Sequence, residues 1–361
     1  MSNVLLEIQN LRTYFHMHGY TVRAVDGVDL QVMEGENVGI VGESGCGKSQ
    51  TAMSIMRLVP DPPGEIIDGD ILLRGKSLLK LKEEEMRKVR GNDISMIFQE
   101  PMTSLNPVFT VGYQISEGLM LHRDMSKNEA IKESIRLLKM VGISDPEERV
   151  KEYPFQLSGG LRQRVMIAMA MACEPAVMIA DEPTTALDVS IQAQILRLMR
   201  DLQQKKNTAT MFITHDLAVI ASFTQRVMVM YAGVVVEMAS VNDIFKKPLH
   251  PYTHGLLTSI PVLGDSKYRD DGSRRLLYTI PGTLPDPKRI IKGCRFTSRC
   301  PKVMKKCYEA EPELVFTEKD HKVRCYLYSD TVRETPAYLD VPVRGLSKKQ
   351  KKQAKKDKIR G

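Results

Sequence analysis

The stretch NVGIVGESGCGKSQTAMSIM holds G-x-x-x-x-G-K-S at residues 42–49, directly after an apolar run and directly before a helical one. That context makes the spacing a phosphate-binding loop. Gly42, Gly45 and Gly47 let the backbone fold close around phosphates, so that successive N–H groups and the start of the helix point at negative charge. The nucleotide-binding set is therefore the loop itself: Gly42, Glu43, Ser44, Gly45, Cys46, Gly47, Lys48, Ser49 and Gln50. Lys48 reaches the β- and γ-phosphates, the Ser49 hydroxyl helps to hold Mg²⁺, and Cys46 is a small tolerated side chain.

A second site is VMIADEPTTALD at 177–188, an apolar strand that ends in two acids. Asp181 falls at the carboxyl edge of the sheet as a magnesium ligand, and Glu182, one position on, orients and deprotonates an attacking water. Gln99 in DISMIFQEP and His215 in TMFITHD also follow strand-like runs. Beside the loop and the acids they fit γ-phosphate sensing, Gln99 at the metal and water and His215 at the transferred phosphoryl group.

These groups need a scaffold. Strand-like runs at 176–180, 208–214 and 226–236 alternate with the helical QAQILRLMRDLQQKK, which predicts an α/β fold, a parallel sheet covered by helices on both faces. Residues 1–41 alternate short apolar runs with turns, a small set of strands leading into that sheet. From about 104 to 160 the texture is helical, with Ile131, Ile135 and Leu138 at three-and-four spacing. Boundaries fall near 250, where Pro, Gly and Cys become frequent, and near 344, where a lysine-rich tail begins.

Net charge is +8, but the last fifteen residues carry eight basic residues against one acid, so the body is near neutral and offers no basic face for nucleic acid. The longest apolar run, Val227 to Val236, is about ten residues and too short to cross a bilayer. The opening MSNVLLEIQNLRTYF has no secretory pattern, so the chain is expected in the cytoplasm with its six cysteines mostly reduced. Four of them, Cys294, Cys300, Cys307 and Cys325, give C-x5-C-x6-C-x17-C, read as a metal centre stapling a small subdomain. The spacing lacks the C-x2-C usual for zinc, and Pro301 follows Cys300 as at iron–sulfur ligands. Cys173 reads as a core residue.

The order GESGCGKS, Gln99, LSGGLRQRV, VMIADE, ALD and His215 resembles the nucleotide-binding subunits of ABC transporters over about residues 3–250. LSGGLRQRV is similar to the family signature LSGGQ, with Leu161 where Gln is commonest. The resemblance implies a P-loop NTPase fold with an N-terminal antiparallel β subdomain, an inserted helical subdomain at about 101–160, and ATP with Mg²⁺ as ligands. It also implies that Ser158, Gly159 and Gly160 serve a nucleotide held mostly by a partner chain, their helix N-terminus aimed at its γ-phosphate. Asp188 is similar to the residue that touches the opposite subunit. Phe15, with Tyr14 as the alternative, matches the aromatic that stacks on adenine.

HPYTHGLLTSIP at 250–261, IPGTLPDP at 280–287 and QEPMTSLNP at 99–107 resemble the oligopeptide/dipeptide branch of ABC importers, whose extension (here 251–344, before a disordered tail at 345–361) carries four cysteines. A [4Fe-4S] cluster is what that resemblance implies, with zinc the alternative. The expected partners are a second ATPase subunit, a heterodimer favoured over a homodimer, two transmembrane permease subunits and, indirectly, an extracytoplasmic solute-binding protein. That places the chain peripherally on the cytoplasmic face of the membrane. Other solutes, nickel or glutathione, and a soluble ABC ATPase acting on nucleic acid or ribosomes are the rival readings.

Overall fold

The computed structural model describes residues 3–99, 104–184, 187, 189–260, 278–318, 320–331 and 333; Asp188 and the lysine-rich tail lie outside them. Strands β1 (Val4–Met17), β2 (Tyr20–Met33), β4 (Gly64–Leu73) and β5 (Lys76–Ser77) form an antiparallel sheet in the order β2-β1-β4-β5. The main sheet runs β11 (Val315–Glu318), β12 (His321–Val323), β10 (Val234–Ser240), β9 (Arg226–Tyr231), β3 (Asn37–Val41), β8 (Ala209–Ile213), β7 (Val177–Asp181) and β6 (Ile94–Ile97). Its parallel centre is β6, β7, β8, β3 and β9. Every residue of β3, β7 and β8 is buried, as strands covered on both faces must be.

The run 226–236 is not one strand. Ala232 (φ 45°) and Gly233 (φ 86°) fold it into a hairpin, so that β10 (Val234–Ser240) returns antiparallel on β9. Two adjacent left-handed residues make the tight reversal that matches strand twist, a signal concealed by the unbroken apolar composition on either side. In the helical region, helix Lys127–Met140 buries Ala130, Ser134, Leu137 and Leu138, leaving Ile131 and Ile135 only partly covered. Ser134 is buried because its hydroxyl meets that of Ser116 at 3.0 Å on helix Val111–Arg123.

The cysteine-rich extension continues the sheet: β12 (His321–Val323) pairs with β10, and β11 (Val315–Glu318) pairs with β12. Two buried carboxylates fasten the joint. Glu237 on β10 accepts from the backbone N–H groups of Leu249 and His250 and meets His321 Nε2 at 2.7 Å. Asp26 on β2 accepts from Arg12 and Tyr14 and pairs with Arg295 and Arg333 of the extension. Burial alone would raise its pKa, but Arg295 and Arg333 hold it well below the carboxylate range.

His250 caps helix Pro251–Thr258 through Nδ1, which accepts from Tyr252 N–H, and it is buried. Burial pushes its pKa down to about 4, with Glu237 pulling it up and Arg324 pushing it down. An unfolded imidazole titrates near ~6.5, so as the pH falls the unfolded chain takes up the proton first and the folded state loses stability. That contribution is intact above the unfolded value and is lost between it and the folded one, about 3 kcal/mol in all at about 1.4 kcal/mol per pH unit. The urea midpoint should therefore fall between pH 7 and pH 5, and His250→Asn, which keeps a capping oxygen, should flatten the slope; equal slopes would contradict the assignment.

Candidate active site

The phosphate-type loop leaves β3 and enters helix Lys48–Ile55. Its glycines are dictated by neighbours. At Gly47 (φ 106°) a Cβ would run into the Ala24 carbonyl, and at Gly42 into that of Met230. Lys48 is buried, its ammonium donating to the carbonyls of Gly42 at 2.8 Å and Glu43 at 3.1 Å. Cys46 is fully buried, as a packing residue would be, and burial raises its thiol pKa.

Asp181 closes β7 with its Oδ1 buried and without a hydrogen-bond partner. Burial raises its pKa, the neighbouring Glu182 raises it further, and a Ser49 hydrogen bond and Lys48 act against this. A buried carboxylate oxygen left unsatisfied beside a serine hydroxyl is a donor set that suits a hard cation such as Mg²⁺. Glu182 sits in the left-handed region (φ 46°), its N–H donating to the Ile213 carbonyl at 2.9 Å. Gln99 Nε2 donates to its Oε2 at 3.1 Å, and His215 Nδ1 lies 3.2 Å from its Oε1. Residues from four chain segments, Lys48 and Ser49, Gln99, Asp181 and Glu182, and His215, are thus gathered at the carboxyl ends of β3, β6, β7 and β8, where open parallel sheets bind ligands.

Ser44, Gly45, Ser49, Gln50, Gln99 and Glu182 line one end of a cavity of about 370 Å³. Its remaining walls are Thr21–Ala24 of β2, the turn Ala232–Gly233 and residues 284–287 and 289–291 of the extension, none of which the sequence reading assigned to the site. Phe15 and Tyr14 do not line it. The Phe15 ring lies over Gly64 of the neighbouring strand, and Tyr14 is buried, its hydroxyl donating to Asp26. Tyr14 is thereby held at the Asp26 hub, whereas Phe15 stands directly opposite Val22, a residue of the cavity wall.

The LSGG segment stands apart from this cavity. Ser158 caps helix Gly159–Met171, accepting from Leu161 N–H at 3.4 Å, and a Cβ at Gly159 would meet nothing within 4 Å. Ser158 and Gly159 are exposed, whereas Leu161 packs partly buried against the main core, which accounts for an apolar residue there.

Cys294, Cys300, Cys307 and Cys325 all line one small cavity, and Cys294 N–H donates to the Cys307 carbonyl at 2.8 Å. Burial pushes the thiols of Cys294 and Cys325 up, to about 12 and about 11. Among the described residues no three His, Cys, Asp or Glu side chains are grouped so as to hold a single metal ion. Cys173 is buried in the core, as its sequence context implies. The extension also grips the loop itself. Arg299 forms a two-pronged ion pair with Glu43, at 2.7 and 2.9 Å, and the Glu43 N–H donates to the Tyr252 hydroxyl at 2.8 Å. A contact 256 residues apart leaves no local trace in a sequence.

A phosphate loop, a buried magnesium-type aspartate and a glutamate between Gln and His define a P-loop nucleotide hydrolase. Residues 25–185 match the ABC transporter family and residues 236–307 the oligopeptide/dipeptide transporter C-terminal region. The chain is 54% identical to the oligopeptide transport ATP-binding protein AppD of Bacillus subtilis over 91% of its length and 98% of the relative's. It is 50% identical to the dipeptide transport ATP-binding protein DppD of the same organism, over 90% and 94%. Among solved structures it resembles the dimeric ATP-binding cassette MJ0796 in a post-hydrolysis state with ADP and phosphate, at TM-score 0.60 and 29% identity over 65% of this chain and 98% of that one. The chain belongs to the ABC transporter ATP-binding proteins, oligopeptide/dipeptide transporter branch, and is an ATPase.

Proposed function

We propose that this protein is the ATPase subunit of an importer for di- and oligopeptides, working on the cytoplasmic face of the membrane with two permease subunits. The observation that carries the reading is the coexistence in one chain of the Glu182 hydrolytic group with an extension matching the oligopeptide/dipeptide transporter region. Among the described residues no helix is long and apolar enough to cross a membrane, which supports a separate permease. Close in sequence after Gln99, Val108 is 69% exposed, and Phe109 stacks on Tyr113 with both rings partly in solvent. That patch is a candidate permease contact.

In this reading Glu182 accepts the proton of the attacking water, with Gln99 and His215 fixing its two oxygens. Lys48 turns from the loop carbonyls to the phosphates. Ser49, Gln99 and Asp181 would hold Mg²⁺, which neutralises phosphate charge. Ser158, Gly159 and Gly160 serve the site of a second ATPase subunit, a different chain rather than a copy, with Asp188 at the same interface. Solute reaches the permease through an extracytoplasmic binding protein and not through this chain. A strain lacking this chain should lose uptake of labelled di- and oligopeptides and regain it with the wild-type protein; rescue of nickel or glutathione uptake alone would contradict the peptide assignment.

The four cysteines line one cavity, and four thiols with Pro301 after Cys300 suit a [4Fe-4S] cluster, with zinc the alternative. Its role is structural, since the same segment carries the Arg299 clamp. Protein purified without oxygen should contain iron and acid-labile sulfide in equal amounts. Zinc without sulfide would overturn the cluster.

A further inference from the structure

We propose that Arg299 of the extension is a positioning residue for the ATP loop: by clamping Glu43 it presets the loop's backbone for phosphate and cancels the one carboxylate that the loop carries. This rests on reading the loop as the ATP site.

Glu43 is held at every polar group it has. Its carboxylate takes both prongs of the Arg299 guanidinium, at 2.7 and 2.9 Å. Its N–H donates to the Tyr252 hydroxyl at 2.8 Å, and its carbonyl accepts from Lys48 Nζ at 3.1 Å and from the Cys46 N–H at 3.2 Å. When Lys48 turns to the phosphates the Cys46 bond remains, so the carbonyl is not orphaned. Neither Glu43 nor Arg299 lines the cavity, so the pair acts through the loop's backbone and not on the nucleotide.

Both arms that reach the loop stand on one buried aromatic cluster. Tyr252 packs edge-on against Tyr231 with 4.6 Å between ring centres, and Phe296 lies 5.2 Å from Tyr231 and 5.4 Å from Tyr252. Arg299 closes the short turn that follows Phe296, its N–H donating to the Phe296 carbonyl at 3.0 Å. Its Nε donates to the Pro281 carbonyl at 2.9 Å, which aims the two terminal nitrogens at the carboxylate.

The extension does not need this pair to stay attached. β12 pairs with β10, Arg295 and Arg333 hold Asp26, and Arg324 donates to the Val235 carbonyl. Arg299 instead directs a buried guanidinium at a loop with three glycines, which has much backbone freedom to lose when it wraps phosphate. Fixing Glu43 beforehand removes part of that ordering cost. A carboxylate left bare in the loop would also repel the phosphates.

The test measures equilibrium binding of ATP and of inorganic tripolyphosphate to the full-length chain, for wild type, Arg299→Lys, Arg299→Ala, Arg299→Ala with Glu43→Gln, and Lys48→Ala, with urea midpoints taken alongside. Arg299→Ala should weaken both ligands about tenfold or more and by the same factor, since the loop serves the phosphates. Arg299→Lys, which keeps the charge and loses the fork, should weaken them about threefold. Adding Glu43→Gln to Arg299→Ala should recover part of the loss by removing the bare carboxylate; no recovery would strike charge cancellation from the account. A residue that merely staples the extension would lower the urea midpoint and leave both affinities within about twofold, and that result would overturn the proposal. A loss confined to ATP would overturn it as well, because the effect would then not run through the loop. Should Arg299→Ala fail to fold, Arg299→Lys decides, with unchanged affinities overturning the proposal. If Lys48→Ala left ATP binding intact, the reading of the loop as the ATP site would itself be wrong, whatever Arg299 does.

Discussion

Replacing Glu182 with glutamine should cut ATP turnover by about a hundredfold or more, the range expected when a positioned general base is removed. Glutamine keeps the size and one acceptor oxygen, so the bond from Gln99 can persist and the new amide nitrogen can donate to His215 Nδ1 while the proton acceptor is gone. ATP affinity should stay within about twofold, since the loop and Lys48 are untouched. The ATP-bound pair of subunits should accumulate on size exclusion because it cannot reset. Hydrolysis at the normal rate in the variant would remove Glu182 from the role of base.

Ser158→Arg should have an effect of similar size through a different route. The residue lies outside the cavity of its own chain, and its fold role is one weak cap at 3.4 Å, worth about 1 kcal/mol. Read within one chain, the substitution should leave hydrolysis nearly unchanged. With the segment serving a partner's nucleotide, a bulky cation there should lower turnover of the assembled pair by about a hundredfold, the scale of lost preorganised donors at a reacting phosphate. ATP binding by the isolated chain should be unaffected, and that contrast separates a shared pocket from simple misfolding.

The residues that gather at the cavity's phosphate end were legible because each lies within a few positions of a buried parallel strand. An apolar run followed by a polar residue gives both the strand and the side chain at its carboxyl edge. Asp181, Glu182, Gln99 and His215 meet for that reason. What escaped the sequence is set by tertiary contact. The hairpin at Ala232–Gly233 hides inside a continuous apolar run, and only backbone conformation marks it. The Arg299–Glu43 clamp and the cavity wall at 284–287 and 289–291 join segments more than 200 residues apart, with no periodicity to announce them.

The most direct test of the account is the dependence of ATP turnover per molecule on protein concentration, for this chain mixed equally with its partner ATPase subunit, as wild type and as Ser158→Arg. A pocket completed by two polypeptides requires the wild-type rate per molecule to fall on dilution. Turnover that stays constant however far the protein is diluted, with Ser158→Arg as active as wild type, would contradict it.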